Sequence, residues 1–391
     1  MNYRNINEKE QVSILGFGCM RFSKKGSSVD IKKAEEEVLY AIRHGVNYFD
    51  TAYIYPGNEE IVGEIMARNN CRKDINIATK IPHYMIHSIE ELEKYFNQQL
   101  KRLQTDYIDY YLMHMLPDLK IWSRLTELGI LEWIRNKKSE GKIRNIGFSF
   151  HGNTQNFIEL CDVYAWDFCQ VQYNYMDEYS QAGRAGVEHA KERGIPVFIM
   201  EPLRGGRLVN ALPPKAQTLF QEKKPNRSPA EWALRWLWNQ DAVTMVLSGM
   251  NSIEMVQENI RIASESCVGE LKEEDFRFYE QVKKAIQEKI KVPCTGCGYC
   301  TPCPKGVDIP GIFRCYNASY MDTYFKGFKE YVMCTTLPAK KSNASLCVEC
   351  GKCEKHCPQG ISIRKELRNV KKRMEHPVYK AAAWYIKKKM N

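Results

Sequence analysis

A chain of 391 residues with 44% hydrophobic and 27% charged side chains has the makeup of a globular protein, long enough for one large domain and a smaller one. No stretch approaches the roughly 18–20 uncharged apolar residues of a membrane helix, and the start, MNYRNINEKEQV, lacks the apolar core of a secretory signal, so a cytoplasmic location is expected. The net charge of +10 is uneven, because Arg364–Asn391 carries ten Lys or Arg against Glu366 and Glu375. Such a tail suits nucleic acid, anionic lipid, an acidic partner such as an electron-carrier protein, or simply a solvated helix end. No nucleic-acid-binding motif accompanies it.

From Val12 to about Ala263 strands and helices alternate. Strands are expected at Ser13–Leu15, Asn47–Asp50, Asn76–Thr79, Tyr107–Leu112, Asn145–Phe148, Phe168–Gln172, Pro196–Ile199 and Thr244–Leu247. Helical patterns lie between them at Ile31–Arg43, Glu59–Ala67, Glu90–Leu103, Thr126–Lys138, Thr154–Leu160, Ala182–Arg193 and Pro229–Trp238, with Ser252–Ala263 last. Several stop at a glycine, as at Gly45, Gly141 and Gly194, where a left-handed C-terminal cap is expected. Eight strands, each with its helix, over about 250 residues predict a parallel (β/α)₈ barrel. A doubly wound sheet is the alternative, but Leu15-Gly16-Phe17-Gly18 lacks the third glycine of a dinucleotide fingerprint. A polar helix, Glu273–Ile290, leads out of the barrel. The expected domains are a barrel at 1–290, a cysteine-rich module at 291–363 and a basic helical tail at 364–391 broken at Pro377.

In a barrel the chemistry belongs at the C-terminal ends of the strands. Those ends present Asp50 with Tyr55 in the following loop, then Lys80, then His114. A phenol titrates near pH 10 and is a poor acid or base without a nearby cation. Lys80 can supply the cation, Asp50 can hold Lys80, and His114 can orient a carbonyl oxygen beside Tyr55. Taken singly each has a bland reading as packing or a satisfied strand end; the four in register point to an acid–base site.

Here the chain resembles the aldo-keto reductase family over about residues 10 to 265. The resemblance rests on Phe49-Asp50-Thr51-Ala52 with Tyr55, Thr79-Lys80, Tyr111-Leu112-Met113-His114 and Ile146-Gly147-Phe148-Ser149. It continues through Gln170-Val171-Gln172-Tyr173-Asn174, Pro202-Leu203-Arg204-Gly205-Gly206, Ser248-Gly249 and Glu258-Asn259. It implies a nicotinamide-dependent oxidoreductase acting on a small carbonyl or alcohol without metal, with Tyr55 as general acid. Ser149 and Gln172 would contact the nicotinamide amide, Leu203 and Gly205 the pyrophosphate, and Glu258 and Asn259 the adenine. Ser248, Gly249 and Asn251 would complete the cofactor loop. Two positions depart from the family pattern. Met200 stands where many members stack a tyrosine on the nicotinamide, and Gly249-Met250-Asn251-Ser252 carries no cation for a 2′-phosphate. NADPH and NADH therefore both stay open, with Arg204, Arg207 or Arg261 as candidate substitutes for that cation.

Ten of the fifteen cysteines lie in the last hundred residues, a crowding that favours metal ligation over disulfides. The run Cys347-x₂-Cys350-x₂-Cys353-x₃-Cys357-Pro358 has bacterial ferredoxin spacing, and Cys294-x₂-Cys297-x₂-Cys300-x₂-Cys303-Pro304 echoes it one residue shorter. The module thus resembles a dicluster ferredoxin domain. In such domains the fourth cysteine of each run serves the other cluster. Cys294, Cys297, Cys300 and Cys357 would hold one [4Fe-4S] cluster; Cys347, Cys350, Cys353 and Cys303 would hold the second. Two zinc sites are the alternative. Cys315 and Cys334 are left unassigned.

A hydride carries two electrons and a cluster passes one, so joining the two halves calls for a group such as a flavin, for which no motif is recognisable. Three readings follow. The first is a carbonyl reductase or alcohol dehydrogenase whose clusters are structural or redox-sensing. The second is an oxidoreductase passing electrons to an external flavin or ferredoxin carrier. The third is a non-enzymatic iron–sulfur carrier or sensor on a retired barrel.

Overall fold

The computed structural model describes residues 1–26, 28–151, 154–179, 181–288, 290–294, 299–321, 323–336 and 341–390. Its strands are β1 (Tyr3–Asn5), β2 (Gln11–Ser13), β3 (Leu15–Gly18), β4 (Lys24–Lys25), β5 (Ser28–Val29), β6 (Tyr48–Asp50), β7 (Asn76–Pro82), β8 (Ile108–His114), β9 (Ile143–Phe150), β10 (Phe168–Gln172), β11 (Val197–Met200) and β12 (Met245–Ser248). Strands β3 and β6 to β12 close into a barrel in chain order, with β12 returning to β3. All eight pairings are parallel, as expected of strands joined by helical crossovers. The remaining strands form two small antiparallel hairpins, β1–β2 and β4–β5.

The helices of this part are α1 (Ile31–Arg43), α2 (Asn58–Asn69), α3 (Ile89–Leu103), α4 (Leu119–Glu127), α5 (Ile130–Ser139), α6 (Thr154–Val163) and α7 (Gly183–Glu192). After β11 come α8 (Arg207–Asn210), α9 (Pro214–Glu222), α10 (Pro229–Trp238) and α11 (Ile253–Glu265). Their starts obey simple capping chemistry: the side chains of Asp30, Ser88 and Ser252 accept from Lys33 N, Glu91 N and Met255 N. In α3, Leu92, Phe96, Gln99 and Leu103 form the buried stripe that a 3.6-residue period produces.

Inside the barrel, Tyr48, Ala78, Tyr110, Leu112, Phe168, Phe198, Met245 and Leu247 pack with Val12 of β2. The aromatics meet edge to face, as in Tyr48–Phe198 at 5.2 Å and 83°, the arrangement ring quadrupoles favour. Gly16 makes room for this filling, since a Cβ there would stand 2.7 Å from Leu247 Cδ2.

Two expectations need correction. The apolar run over residues 12–17 is not one strand at Ser13–Leu15. Gln11–Ser13 pairs antiparallel with Tyr3–Asn5, and the barrel strand begins only at Leu15. The helix expected at Thr126–Lys138 is two helices, divided at Gly129 with φ +96°, a left-handed conformation that glycine adopts without steric cost.

Residues Met1–Gly205 with Pro229–Lys272 form one compact unit, and Gly206–Ser228 with Glu273–Asn391 a second. The second holds α8, α9, α12 (Glu273–Gln287), α13 (Ile309–Met321), α14 (Tyr324–Thr336), α15 (Lys352–Lys355), α16 (Ile363–Met374) and α17 (Pro377–Met390). Ile309, Ile312, Phe313, Tyr316 and Tyr331 share its core with Leu367, Val370 and Met374. The basic segment therefore buries one apolar face of α16 and exposes Arg364, Lys365, Arg368, Lys371 and Lys372 on the other. Among the described residues no helix is long and apolar enough to cross a membrane.

Helices α2 and α3 approach tightly at Gly63, where a Cβ would stand 2.3 Å from the Arg102 carbonyl oxygen. Backbone cannot yield as a side-chain tip can. Gly63→Ala is expected to cost about 1–3 kcal/mol, read as a lower urea midpoint with an unchanged m-value.

Candidate active site and cysteine cavities

Asp50 ends β6, Lys80 lies two residues before the end of β7, and His114 ends β8. Parallel pairing puts them on three neighbouring strands. Lys80 is wholly buried, and its Nζ donates to Asp50 Oδ1 at 2.7 Å, Asp50 Oδ2 at 2.6 Å and the Thr51 carbonyl at 2.7 Å. All three of its donors are satisfied. Burial works against the ammonium, and Asp50 outweighs it, so Lys80 is held above the ordinary lysine range.

The loop carrying Tyr55 is fastened to β7 by its backbone. Thr51 N donates to the Ala78 carbonyl and Tyr53 N to the Lys80 carbonyl, at 2.8 and 3.0 Å. Arg102 packs over the Tyr53 ring at 4.5 Å. Tyr55 thereby stands with its ring centroid 5.5 Å from Lys80 Nζ. The His114 ring lies 6.1 Å away at 87°. Burial pushes the Tyr55 phenol up, and Lys80 pulls it down. Burial, with Lys80 nearby, drives His114 well below the ordinary histidine range, so its imidazole is neutral at pH 7. His114 Nδ1 is buried with no hydrogen-bond partner among the described residues.

A second polar layer braces Lys80. Glu59 of α2 accepts from Thr79 Oγ1 at 2.6 Å, Gln99 Nε2 at 2.7 Å and Arg102 Nη1 at 3.1 Å. Gln99 also donates to the Lys80 carbonyl and accepts from Tyr111 OH. Nothing in the sequence marks Glu59 or Gln99 for this role, and Tyr111 is legible there only as part of the Tyr111–His114 run. Glu59 sits in the acidic start of its helix, where a surface role was the natural reading.

Among the residues expected at the cofactor, Ser149 lies one residue before the end of β9, beside Gln170 of β10; its Oγ accepts from Met115 N at 2.9 Å. Gln172 donates through Nε2 to Asp177 at 2.7 Å, while its buried Oε1 has no partner among the described residues. Asp177 also takes both Nε and Nη2 of Arg204. Arg204 is thus committed to an internal pair, and Arg261 to Glu231 and Glu265. Ser248 Oγ accepts from Asn259 Nδ2 at 3.0 Å. Leu203 and Gly205 lie in the turn after β11, and Glu258 lies on α11. Asn251 is exposed, and its carbonyl accepts from Ser23 Oγ at 2.6 Å.

Arg21 carries no signal in the sequence. This exposed arginine donates from Nη1 to the Gly205 carbonyl at 3.0 Å, and a Cβ on Gly249 would meet its Cδ at 2.9 Å. It joins the loops after β3, β11 and β12. Glycine at 205 and 249 leaves the space it occupies.

In the C-terminal unit, a cavity of about 290 Å³ is lined by Cys300, Cys303, Cys347, Cys350 and Cys353. A smaller one is lined by Cys294, Cys300 and Cys357. Cys297 lies outside the described residues. In both cavities the last cysteine of one run meets cysteines of the other.

The eight-stranded parallel barrel is shared with solved aldo-keto reductases. The structure of an aldo-keto reductase from Bacillus halodurans, in its holo form, is 27% identical at a TM-score of 0.60, covering 73% of this chain and 97% of that one. Residues 14–283 match the Aldo/keto reductase family and residues 293–362 the 4Fe-4S dicluster domain. The chain belongs to the aldo/keto reductase family and is an oxidoreductase with a C-terminal ferredoxin-type domain. An uncharacterized oxidoreductase of Bacillus subtilis, YqkF, is 28% identical over 313 residues, 72% of this chain and 93% of its own length. The L-galactose dehydrogenase of Arabidopsis thaliana is 26% identical over 282 residues, 65% of this chain and 85% of its own.

Asp50→Asn would leave the Lys80 charge buried without its counter-ion. A loss of about 3–5 kcal/mol is expected in urea unfolding, with much of it recovered in the Asp50→Asn, Lys80→Met double variant.

Proposed function

We propose that the barrel reduces a carbonyl, or oxidises the matching alcohol, with a nicotinamide cofactor and with Tyr55 as the proton donor. The observation that carries this reading is the buried Lys80–Asp50 pair placed under the Tyr55 ring, with a neutral His114 across it. A bound nicotinamide would supply the hydride. The chain's part is proton delivery and charge control at the carbonyl oxygen. The Tyr55 hydroxyl gives its proton to that oxygen, and Lys80 stabilises the phenolate left behind. Asp50 fixes the ammonium in place. His114 donates an N–H to the same oxygen and orients it.

The free hydrogen-bonding groups fit a carboxamide. Gln172 Oε1 can accept its N–H, and the Ser149 hydroxyl, already accepting from Met115 N, can donate to its carbonyl. Leu203, Gly205 and Gly249, with Arg21 across them, suit a diphosphate. The capped N-terminus of α11 after Asn251 adds a second anion-binding end. Ser248, Glu258 and Asn259 would take the adenine side. Arg204 and Arg261 are both committed to carboxylates, and the exposed Arg21 is a further cation able to meet a phosphate.

The cavity linings support the crossed ligand sets, Cys294, Cys297, Cys300 and Cys357 against Cys303, Cys347, Cys350 and Cys353, for two [4Fe-4S] clusters. The 290 Å³ cavity has room for a group of several atoms. When loaded, such clusters exchange single electrons. Cys350 is exposed, and Arg364 of α16 lines the same cavity. These two observations favour a second reading, in which an acidic electron carrier docks on that basic face.

Tyr55→Phe keeps the ring and removes the proton. It is expected to lower kcat for carbonyl reduction by about 10²–10⁴-fold; turnover within a few-fold of wild type would refute the assignment. Tyr55 acts in its protonated form, and burial extends that form upward in pH. The rate of reduction should therefore show no fall from Tyr55 below about pH 10, and His114, held low, should add no acid limb between about pH 6.5 and 8.

The ligand sets predict which spectra change together. Cys303→Ser and Cys353→Ser should lose the same cluster signal in electron paramagnetic resonance, and Cys294→Ser and Cys357→Ser the other. Loss of one shared signal in Cys303→Ser and Cys294→Ser would show that each run serves its own cluster.

A further inference from the structure

Cys315 and Cys334 fall outside both ligand sets, yet they are not scattered thiols. Cys315 on α13 is wholly buried and Cys334 on α14 is partly exposed. Their Sγ atoms stand 3.5 Å apart. The two helices are locked where they meet, because a Cβ on Gly327 of α14 would fall 2.4 Å from the Ser319 backbone nitrogen of α13. The approach of the sulfurs is therefore set by backbone packing and not by chance side-chain placement. A disulfide needs its sulfurs at about 2.05 Å, so closing it brings them together by about 1.5 Å.

We propose that Cys315 and Cys334 form a reversible intramolecular disulfide, oxidised by the disulfide of a low-molecular-weight thiol. Cys334, the less buried residue of the two, attacks one sulfur of the incoming disulfide as a thiolate. The incoming S–S bond breaks, a mixed disulfide forms on Cys334, and one small thiolate leaves. Cys315, as a thiolate, then attacks Cys334 Sγ; the new S–S bond forms and the second small thiolate departs. The two cysteines lose two electrons and two protons, and the incoming disulfide becomes two thiols. The bridge ties α13 to α14 within the core against which Cys294, Cys300, Cys303, Cys347, Cys353 and Cys357 pack. It stores an electron pair, the same count as a hydride, beside residues suited to one-electron centres.

The test uses the full chain with its iron, kept free of oxygen and equilibrated in glutathione buffers from reducing to oxidising. Samples are quenched in acid, alkylated before and after reduction with reagents of different mass, and mapped as peptides. The expected result is a peptide cross-linked between Cys315 and Cys334. Its ratio to the thiol form should rise about tenfold for each tenfold rise in [GSSG]/[GSH]², with iron content unchanged. Cys315→Ala should instead accumulate glutathione on Cys334. Three results would overturn the proposal. Both thiols could stay alkylatable across the whole range, wild type could stop at the mixed disulfide, or iron could be lost from the Cys315→Ala, Cys334→Ala double variant, which would make the pair ligands.

Discussion

A lysine with none of its surface exposed to water is the constraint around which the barrel site is built. Removing an ammonium from solvent is costly unless a counter-charge and full hydrogen bonding go with it, and Lys80 has both, from Asp50 and the Thr51 carbonyl. The same strand carries the backbone carbonyls that hold the Tyr55 loop. Position and charge are therefore set by one element. The cation is delivered beneath the phenol by the structure that holds the phenol in place. Glu59, with Thr79, Gln99 and Arg102, extends this bracing into α2 and α3, so a change in the helical layer would be felt at the site.

The C-terminal unit is organised differently. Its cysteine runs line cavities on one side of a small helical core, and that core is completed by the apolar face of α16. The strong positive charge near the end of the chain is thus the outer surface of a packed helix. Arg364 and Arg368 are partly offset by Glu354 and Glu349, which leaves Lys365, Lys371 and Lys372 as the unbalanced part of that face.

The barrel could be read from the sequence because its strands are apolar, bounded by glycine and helix caps, and repeated eight times. The strand ends could be read because their polar residues break apolar runs. Where one run served two strands, as over residues 12–17, hydrophobicity marked the segment and not the break. The division of α4 from α5 had its signal in Gly129, but the apolar period continues across it. Asp177 and Arg204 pair across 27 positions, and no local pattern announces such a contact. Arg21 was invisible for another reason: an exposed arginine in a loop has no periodicity, and only Gly205 and Gly249 around it explain its place. Cys315 and Cys334, 19 positions apart, became a pair only once their helices were packed.

In the proposed reaction Tyr55, Lys80, Asp50 and His114 move a proton while a hydride passes directly to the carbonyl, without electrons travelling through the C-terminal unit. The most direct measurement is a single turnover without oxygen, mixing the iron-loaded protein with reduced nicotinamide cofactor and a carbonyl compound while following the absorbance of cofactor and clusters together. Cofactor oxidation that matches alcohol formed, with cluster absorbance constant throughout, is the predicted result. Bleaching of the clusters by the nucleotide before any alcohol appears would contradict it.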